Sequence, residues 1–480
     1  MNWFKRNKIE IILFFFLWLI YAYFVHSEPG WNINTRIDLI YALVDRGTLE
    51  IDAYYNQPSK EYLTSDIAVF QGHHYSDKAP GLALLGVPIY AGFINLATLV
   101  GWHPTPTLCR YIITIFTVGL LSAILGVFLY RFLAYFNENK VYRLLLVFAY
   151  MLGTIAFPYS TLFFSHIPAA AFSFLAFYLI FRKMRYQQSD ARSQTVAVIH
   201  QRNLVSSFWL LTSGFLSGYA LITEYPVGII VIGLIVYLYF QRKKFSEVIL
   251  FIIPILVCCS ILFIINYLQY GTPFALGYQY EQIPMFRTGM SRGLMGITYP
   301  TIDAIYGTTV SPYRGLFFWS PVLILGLIGL FFMKKDTRFR KEFWLFLYII
   351  IAFFIFNFSY YTWWGGWATG PRHIIPMLPF LSIPMLYCFS RWTKLSIGLT
   401  CISMVVLFIA TAADPQVPEH ILYPLWQFAI PKLLDGYPTL NLGNILFGLN
   451  RLPSLIPIII ILAVGIIILV KLSLMENNKS

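Results

Sequence analysis

The chain has 480 residues, of which 58% are hydrophobic, 18% aromatic and 11% charged, with a mean hydropathy of +0.68. A soluble domain carries about 25% charged residues, so this composition excludes a soluble fold and fits an all-α polytopic membrane protein. The net charge of +13 does not indicate nucleic acid, because its distribution along the chain follows a membrane pattern.

The N-terminal MNWFKRNK leads into a long apolar run with no small-residue cleavage site. It reads as a retained first helix and not as a signal peptide. A spanning helix needs about 20 mainly apolar residues. The segments expected to span are 9–26, 108–135, 142–158, 163–181, 204–222, 226–240, 246–268, 314–333, 343–361, 374–390, 395–412 and 453–471, about 12 transmembrane helices in one domain. A further apolar stretch, 81–100, contains Pro88 and is followed by Gly-Trp-His-Pro-Thr-Pro, which suits an interfacial helix.

Charge supports that placement. With 81–100 on the surface, 23 of the 34 Lys and Arg residues fall on one side together with Lys5, Arg6 and Lys8, and only seven acids accompany them. The other side holds 11 basic and 14 acidic residues. The positive-inside rule makes the basic side and both termini cytoplasmic, in a plasma (bacterial inner) membrane. The extracytoplasmic loops are then 28–106, with the interfacial helix inside it, and 269–313 and 413–452, with shorter turns between the remaining spans. The five cysteines lie in or beside apolar segments, so no disulfide framework or cysteine metal site is expected.

The first outer loop is the most polar stretch, and seven of the 21 acidic residues fall within 31–81. In Asn34-Thr35-Arg36-Ile37-Asp38, a carboxylate just after the first helix sits where a general base can meet an acceptor hydroxyl. A structural reading has Asn34 or Thr35 capping a short helix to Arg46, with Asp38 in its first turn and Asp45 on the same face. His73-His74-Tyr75-Ser76-Asp77-Lys78-Ala79-Pro80-Gly81 places Lys78 at headgroup depth for a lipid phosphate, or as a snorkelling anchor. The paired histidines lack a metal-ligand spacing. Glu224 is an acid in a turn between apolar runs, which is often functional. His166 reads as a core histidine. Arg314 opens an apolar run. Trp363-Trp364-Gly365-Gly366-Trp367 followed by Gly370-Pro371-Arg372-His373 exceeds what an aromatic belt explains. Its glycines allow close approach, its rings suit sugars and its arginine forks onto phosphate.

A first helix, a long acidic outer loop and a Lys-Pro-type motif leading into a surface helix resemble the GT-C membrane glycosyltransferases, which include protein O-mannosyltransferases and lipid A aminoarabinose transferases. The resemblance covers the topology of the first half and two motifs, Asn34–Asp38 and Tyr75–Pro80. It departs in having no paired acids in the loop and in the inserted Ala79. It implies a catalytic first outer loop and an inverting hexosyl- or pentosyltransferase that moves a sugar from a polyprenyl-phosphate donor to an acceptor hydroxyl. The acceptor would be a cell-envelope glycan, lipid or protein. The expected base is Asp38, with Asp66 and Asp77 as alternatives. Lys78, Arg372, Arg314 and Arg36 would hold the donor phosphate. His74, Tyr75, Glu224, Trp364, Trp367 and His373 would contact substrate. No cofactor is required, and a divalent metal is compatible with the chemistry without a motif to support it. The competing reading is a transporter or flippase of a lipid-linked saccharide, which usually shows paired repeats and broken midplane helices that this sequence lacks. A third is a scaffold that binds glycolipid without turnover.

Overall fold

The computed structural model describes residues 7–55, 57, 61–189 and 196–478. Lys5, Arg6, Lys60, Asp190, Arg192 and Lys479 of the charge count lie outside the described residues. The chain is an all-α polytopic bundle with a single short hairpin among the described residues. Its first elements are helix α1 (Lys8–Ala22), helix α2 (Trp31–Tyr41), strands β1 (Ile67–Phe70) and β2 (His73–Ser76), and helix α3 (Gly81–Leu99).

Among the described residues, seven helices are long and apolar enough to cross a membrane: Gly81–Leu99, Pro106–Leu133, His166–Arg185, Phe245–Tyr270, Thr337–Ser359, Thr393–Ala413 and Leu452–Asn477. Arg372–Ser382 and Met385–Arg391, bent by 52°, give up to 8 if they form one span. Length and composition thus support seven or eight spans among the described residues, and the count of twelve is not confirmed. The shortfall has local causes. Helix α1 has 15 residues, about 22 Å at 1.5 Å per residue against a hydrocarbon core of about 30 Å. Segment 142–158 breaks after Met151, and segment 314–333 breaks at Ser320-Pro321. Helix α3 passes the same length test, so by this measure it fits a span as well as an interfacial helix.

The bundle interior is aromatic. Phe132 meets the rings of Phe174, Phe177 and Phe181 at 5.7, 5.3 and 5.0 Å, and Phe177 reaches Phe346 and Phe380 at 5.4 and 5.7 Å. Gly214 and Gly218 let their helix press on Phe245–Tyr270, since a Cβ at Gly218 would lie 2.8 Å from the Ile255 Cα. Small residues four apart are a usual device for close helix packing in lipid.

One end of the bundle gathers the polar loops. The hairpin pairs Ile67 with Ser76 and Phe70 with His73. It turns through Gln71 and Gly72, both at positive φ (52° and 86°), as a tight hairpin turn demands. Helix α2 lies between this hairpin and α3.

Candidate active site

A cavity of about 490 Å³ opens among these loops. Its wall is drawn from seven separate parts of the sequence, represented by Glu28 and Arg36, Asp66 and Lys78, His166, Glu224, Glu281, Arg372, and Glu419. Each belongs to a segment that the charge count assigns to one side of the membrane.

Helix α2 starts at Trp31 with Gly30 as its N-cap and no side-chain cap. This corrects the capping expectation for Asn34 and Thr35. Asn34 is inside the helix, where its Nδ2 donates to the Leu63 carbonyl at 2.8 Å. Asn32 and Arg36, four apart, share the cavity face. Arg36 donates to the Asn32 carbonyl at 3.0 Å and to Ser165 Oγ at 3.2 Å. Asp38 lies two residues further round, on the buried face. It is 0% exposed, and neither of its carboxylate oxygens has a hydrogen-bond partner among the described residues. Burial pushes its carboxyl well above the usual range, against the attraction of Arg110. Asp38 does not reach the cavity. Beyond Tyr41 the helix loosens into a wider turn, Ala42–Arg46, and Asp45 there accepts from Tyr54 at 2.8 Å and Tyr90 at 3.2 Å.

Strand β2 delivers the lysine. Lys78 Nζ lies 3.1 Å from Asp66 Oδ2, is ion-paired with Asp77, and sits 5.8 Å from the Tyr278 ring centroid. Asp66 and Lys78 line the cavity, whereas Asp77, 2% exposed, stands behind them. Gly277 admits this approach, because a Cβ there would come within 2.7 Å of the Asp77 Cα. His74 and Tyr75 point elsewhere. His74 Nδ1 meets Asp52 Oδ1 at 2.6 Å and Tyr75 packs on the Tyr270 ring at 5.7 Å. His73 also reaches Asp52 (2.8 Å) and lies 3.4 Å from Glu50. Glu50, Asp52 and His73 could hold a metal ion, with ligand atoms within 4.8 Å of one another, but none of them lines the cavity.

A further cation of the wall is Arg372. The Arg372 guanidinium stacks 5.0 Å over Phe164, and its Nε has no hydrogen-bond partner among the described residues. Gly365, at φ 77°, passes the arginine so closely that a Cβ would sit 3.0 Å from the Arg372 Cγ. The His373 ring lies 5.8 Å from that of His166, which is 3.3 Å from the Glu224 carboxylate. Ser165 also donates to Glu224. Burial acts against the Glu224 charge, but His166, Ser165 and Arg36 outweigh it and hold the carboxyl down at about 2. Trp364 donates to Glu419 at 2.8 Å, and Trp367 is exposed at the rim.

Arg314 is fully buried outside the cavity lining. It donates to the carbonyls of Gly366 (3.1 Å) and Val417 (3.2 Å) and so ties together two loops of the wall. Its replacement by Ala leaves both carbonyls short of a charged donor. Thermal unfolding of Arg314→Ala should show a loss of about 2–4 kcal/mol, with cavity ligand binding weakened through the loosened loops.

Of the residues read from sequence, Arg36, Asp66, Lys78, Glu224, Trp364, Trp367, Arg372 and His373 meet in the cavity. Asp38, His74, Tyr75, Asp77 and Arg314 do not line it. Sequence reasoning missed Glu28, Glu281, Asp414 and Glu419, and set His166 aside as core. Glu28 carried a usable signal: it is the first acid after α1, directly before the Pro29-Gly30 that begins α2. Its side chain has no hydrogen bond or ion pair among the described residues.

No protein-family model matches the chain, and no curated protein matches it. Solved structures do. ArnT from Cupriavidus metallidurans, crystallised with undecaprenyl phosphate, aligns over 98% of this chain and 77% of its own at 14% identity, with a TM-score of 0.49. The apo oligosaccharyltransferase of Archaeoglobus fulgidus aligns over 90% of this chain at 12% identity, with a TM-score of 0.50. This chain spans 56% of that enzyme's length. The second likeness concerns the fold: the chain has the helical membrane architecture on which an oligosaccharyltransferase is built.

Proposed function

We propose that the chain is a membrane glycosyltransferase that moves a hexosyl or pentosyl group from a polyprenyl-phosphate donor to an acceptor hydroxyl, with inversion, on the extracytoplasmic face of a bacterial inner membrane. One observation carries this reading. A cavity at the loop end of an apolar bundle presents Arg36, Lys78 and Arg372 beside free and paired carboxylates. Arg372 has no carboxylate partner within the ion-pair limit among the described residues, and an unmatched guanidinium in a half-buried cavity is a phosphate site in waiting. The apolar helices below offer a place for the lipid tail, and the fold is one that a sugar-transferring membrane enzyme uses.

In the reaction the acceptor oxygen attacks the anomeric carbon while the bond from that carbon to the phosphate oxygen breaks. Arg372, Arg36 and Lys78 stabilise the charge that builds on the departing phosphate. The acceptor proton goes to a cavity carboxylate. Of the three carboxylates that the sequence offers for this task, only Asp66 lines the cavity, and Lys78 occupies it. Glu28 lines the cavity with no partner among the described residues, so we assign the proton to Glu28 and give Asp66 the role of orienting Lys78. Asp414, near Glu28, is held by Lys432 at 3.5 Å. Helix α3 would lie at the membrane surface, where Lys78 at its start meets headgroups. Trp364 and Trp367 would face the sugar.

The purified chain should carry a polyprenyl phosphate detectable by mass spectrometry, and should form a glycosidic bond when given a polyprenyl-phosphate sugar in detergent. Movement of a lipid-linked saccharide across proteoliposomes with no new glycosidic bond would sink the enzyme reading in favour of a flippase.

A further inference from the structure

Lys78 is surrounded by more negative charge than it can neutralise. Asp66 and Asp77 both contact its ammonium. A third carboxyl, Glu281, is 2% exposed and interacts with Asp77, Lys78 and Asp66. The chain around Glu281 runs beside the hairpin like a third strand. Ala68 forms a bridge to Glu281, and the Gln282 N–H donates to the Ile67 carbonyl at 3.0 Å. Arg287 does not balance the charge. Its guanidinium is spent on the Glu281 backbone carbonyl, at 2.6 and 2.8 Å.

Three carboxylates around one ammonium, away from water, cannot all ionise. The geometry decides which keeps its proton. Asp66 and Asp77 contact the ammonium and Glu281 does not; Glu281 Oε2 and Asp77 Oδ1 are both buried without a donor among the described residues, the two carboxyls share a hydrogen bond that needs a proton on one of them, and of the two only Glu281 lines the cavity. Electrostatics agree: burial first, then the Asp77 charge, push Glu281 up to about 10, with Lys78 opposing.

Resting on the donor assignment above, we propose that Glu281 is a neutral carboxylic acid that donates a hydrogen bond to the donor phosphate beside Lys78. The proton stays on Glu281 throughout and no bond to it is broken. Its value is twofold. It gives the phosphate a donor, and it keeps a third negative charge out of the anion site. The other groups that face this cluster are Asp66, Asp77, Lys78, Tyr278 and Tyr361. Lys78, Tyr278 and Tyr361 are all raised above their ordinary ranges, Tyr278 and Tyr361 chiefly by burial and Lys78 by its carboxylate neighbours against burial. Burial raises Asp77 as well, but its contact with Lys78 opposes that, which leaves Glu281 as the member of the cluster that ionises between about pH 8 and pH 10.5.

The test is binding of undecaprenyl phosphate to the full-length protein in detergent at about pH 8 and about pH 10.5. The second ionisation of a phosphate monoester lies near pH 6, so the ligand keeps one charge state over this range. Wild type should lose affinity by about threefold to fourfold on going to the higher pH, the fall in the protonated fraction of Glu281 half a unit above a value of about 10. Glu281→Gln keeps a donor and cannot ionise, so it should bind as wild type does at the lower pH and change by less than about twofold. Glu281→Ala should bind weakly at both. Thermal melts of each variant at each pH check that the protein is folded. Equal wild-type affinity at both pH values, or the same pH-dependent loss in Glu281→Gln, overturns the proposal alone. No binding by wild type at about pH 8 overturns the donor assignment and the proposal with it.

Discussion

Arg372→Ala should reduce transfer by about 10²–10³-fold in kcat/KM, the scale of removing one preorganised donor from a developing oxyanion. The effect is expected to be the largest among the cations. Arg36 is anchored to Asn32 and Ser165 and Lys78 to two carboxylates, whereas among the described residues the Arg372 guanidinium rests on the Phe164 ring and has no ion-pair partner. Its charge is already unmatched before substrate arrives, so little must rearrange when phosphate binds. Arg372→Lys should recover only part of the rate, because an ammonium is a point charge and cannot grip two phosphate oxygens at once. Stacking on Phe164 would also be lost. Initial rates at varied donor concentration separate the possibilities. A fall confined to acceptor KM, with donor affinity untouched, would remove Arg372 from the phosphate site.

Glu28→Gln should behave differently. General base catalysis contributes roughly 10²–10⁴-fold, and the amide is nearly isosteric with the acid. The loss should appear in kcat, with donor binding retained. Glu28 is exposed on the cavity wall, so stability should change little. Asp66→Asn provides the comparison. It frees Lys78 from one of its two partners and should alter donor affinity more than the chemical step. If Glu28→Gln turns over normally while Asp66→Asn is dead, the roles assigned to these two carboxylates are exchanged.

The sequence carried the membrane class, because hydropathy acts locally and is read directly, and several residues of the polar loops it singled out do meet in one cavity. The cations of the cavity were legible for the same reason: Arg36, Lys78 and Arg372 each stand at an apolar boundary that tolerates a charge only with a use for it. The base was not legible. Asp38 and Arg36 are two residues apart, about 200° around a helix at 100° per residue. Hydropathy places both at the membrane surface but does not say which faces the cavity. The packing of α2 between hairpin and α3 settles the rotation, and it turns Asp38 inward. Glu281 was hidden by distance, since its contact with Lys78 depends on a loop folding back along the hairpin. The span count was less legible, because apolar composition persists through Pro and Gly breaks that end helices early.

The two ends of the cavity wall are stitched together across nearly the whole chain. The Gly30 N–H donates to Gln416 Oε1 at 3.2 Å, and Gln416 Nε2 lies 3.4 Å from the Glu28 carbonyl. Gln416 is made 386 residues after Gly30. The site therefore has a birth order. Glu28 and Arg36 must wait in the membrane, unclosed, until the final third of the protein has been inserted. A chain released before residue 416 would retain most of its helices but never acquire a closed pocket.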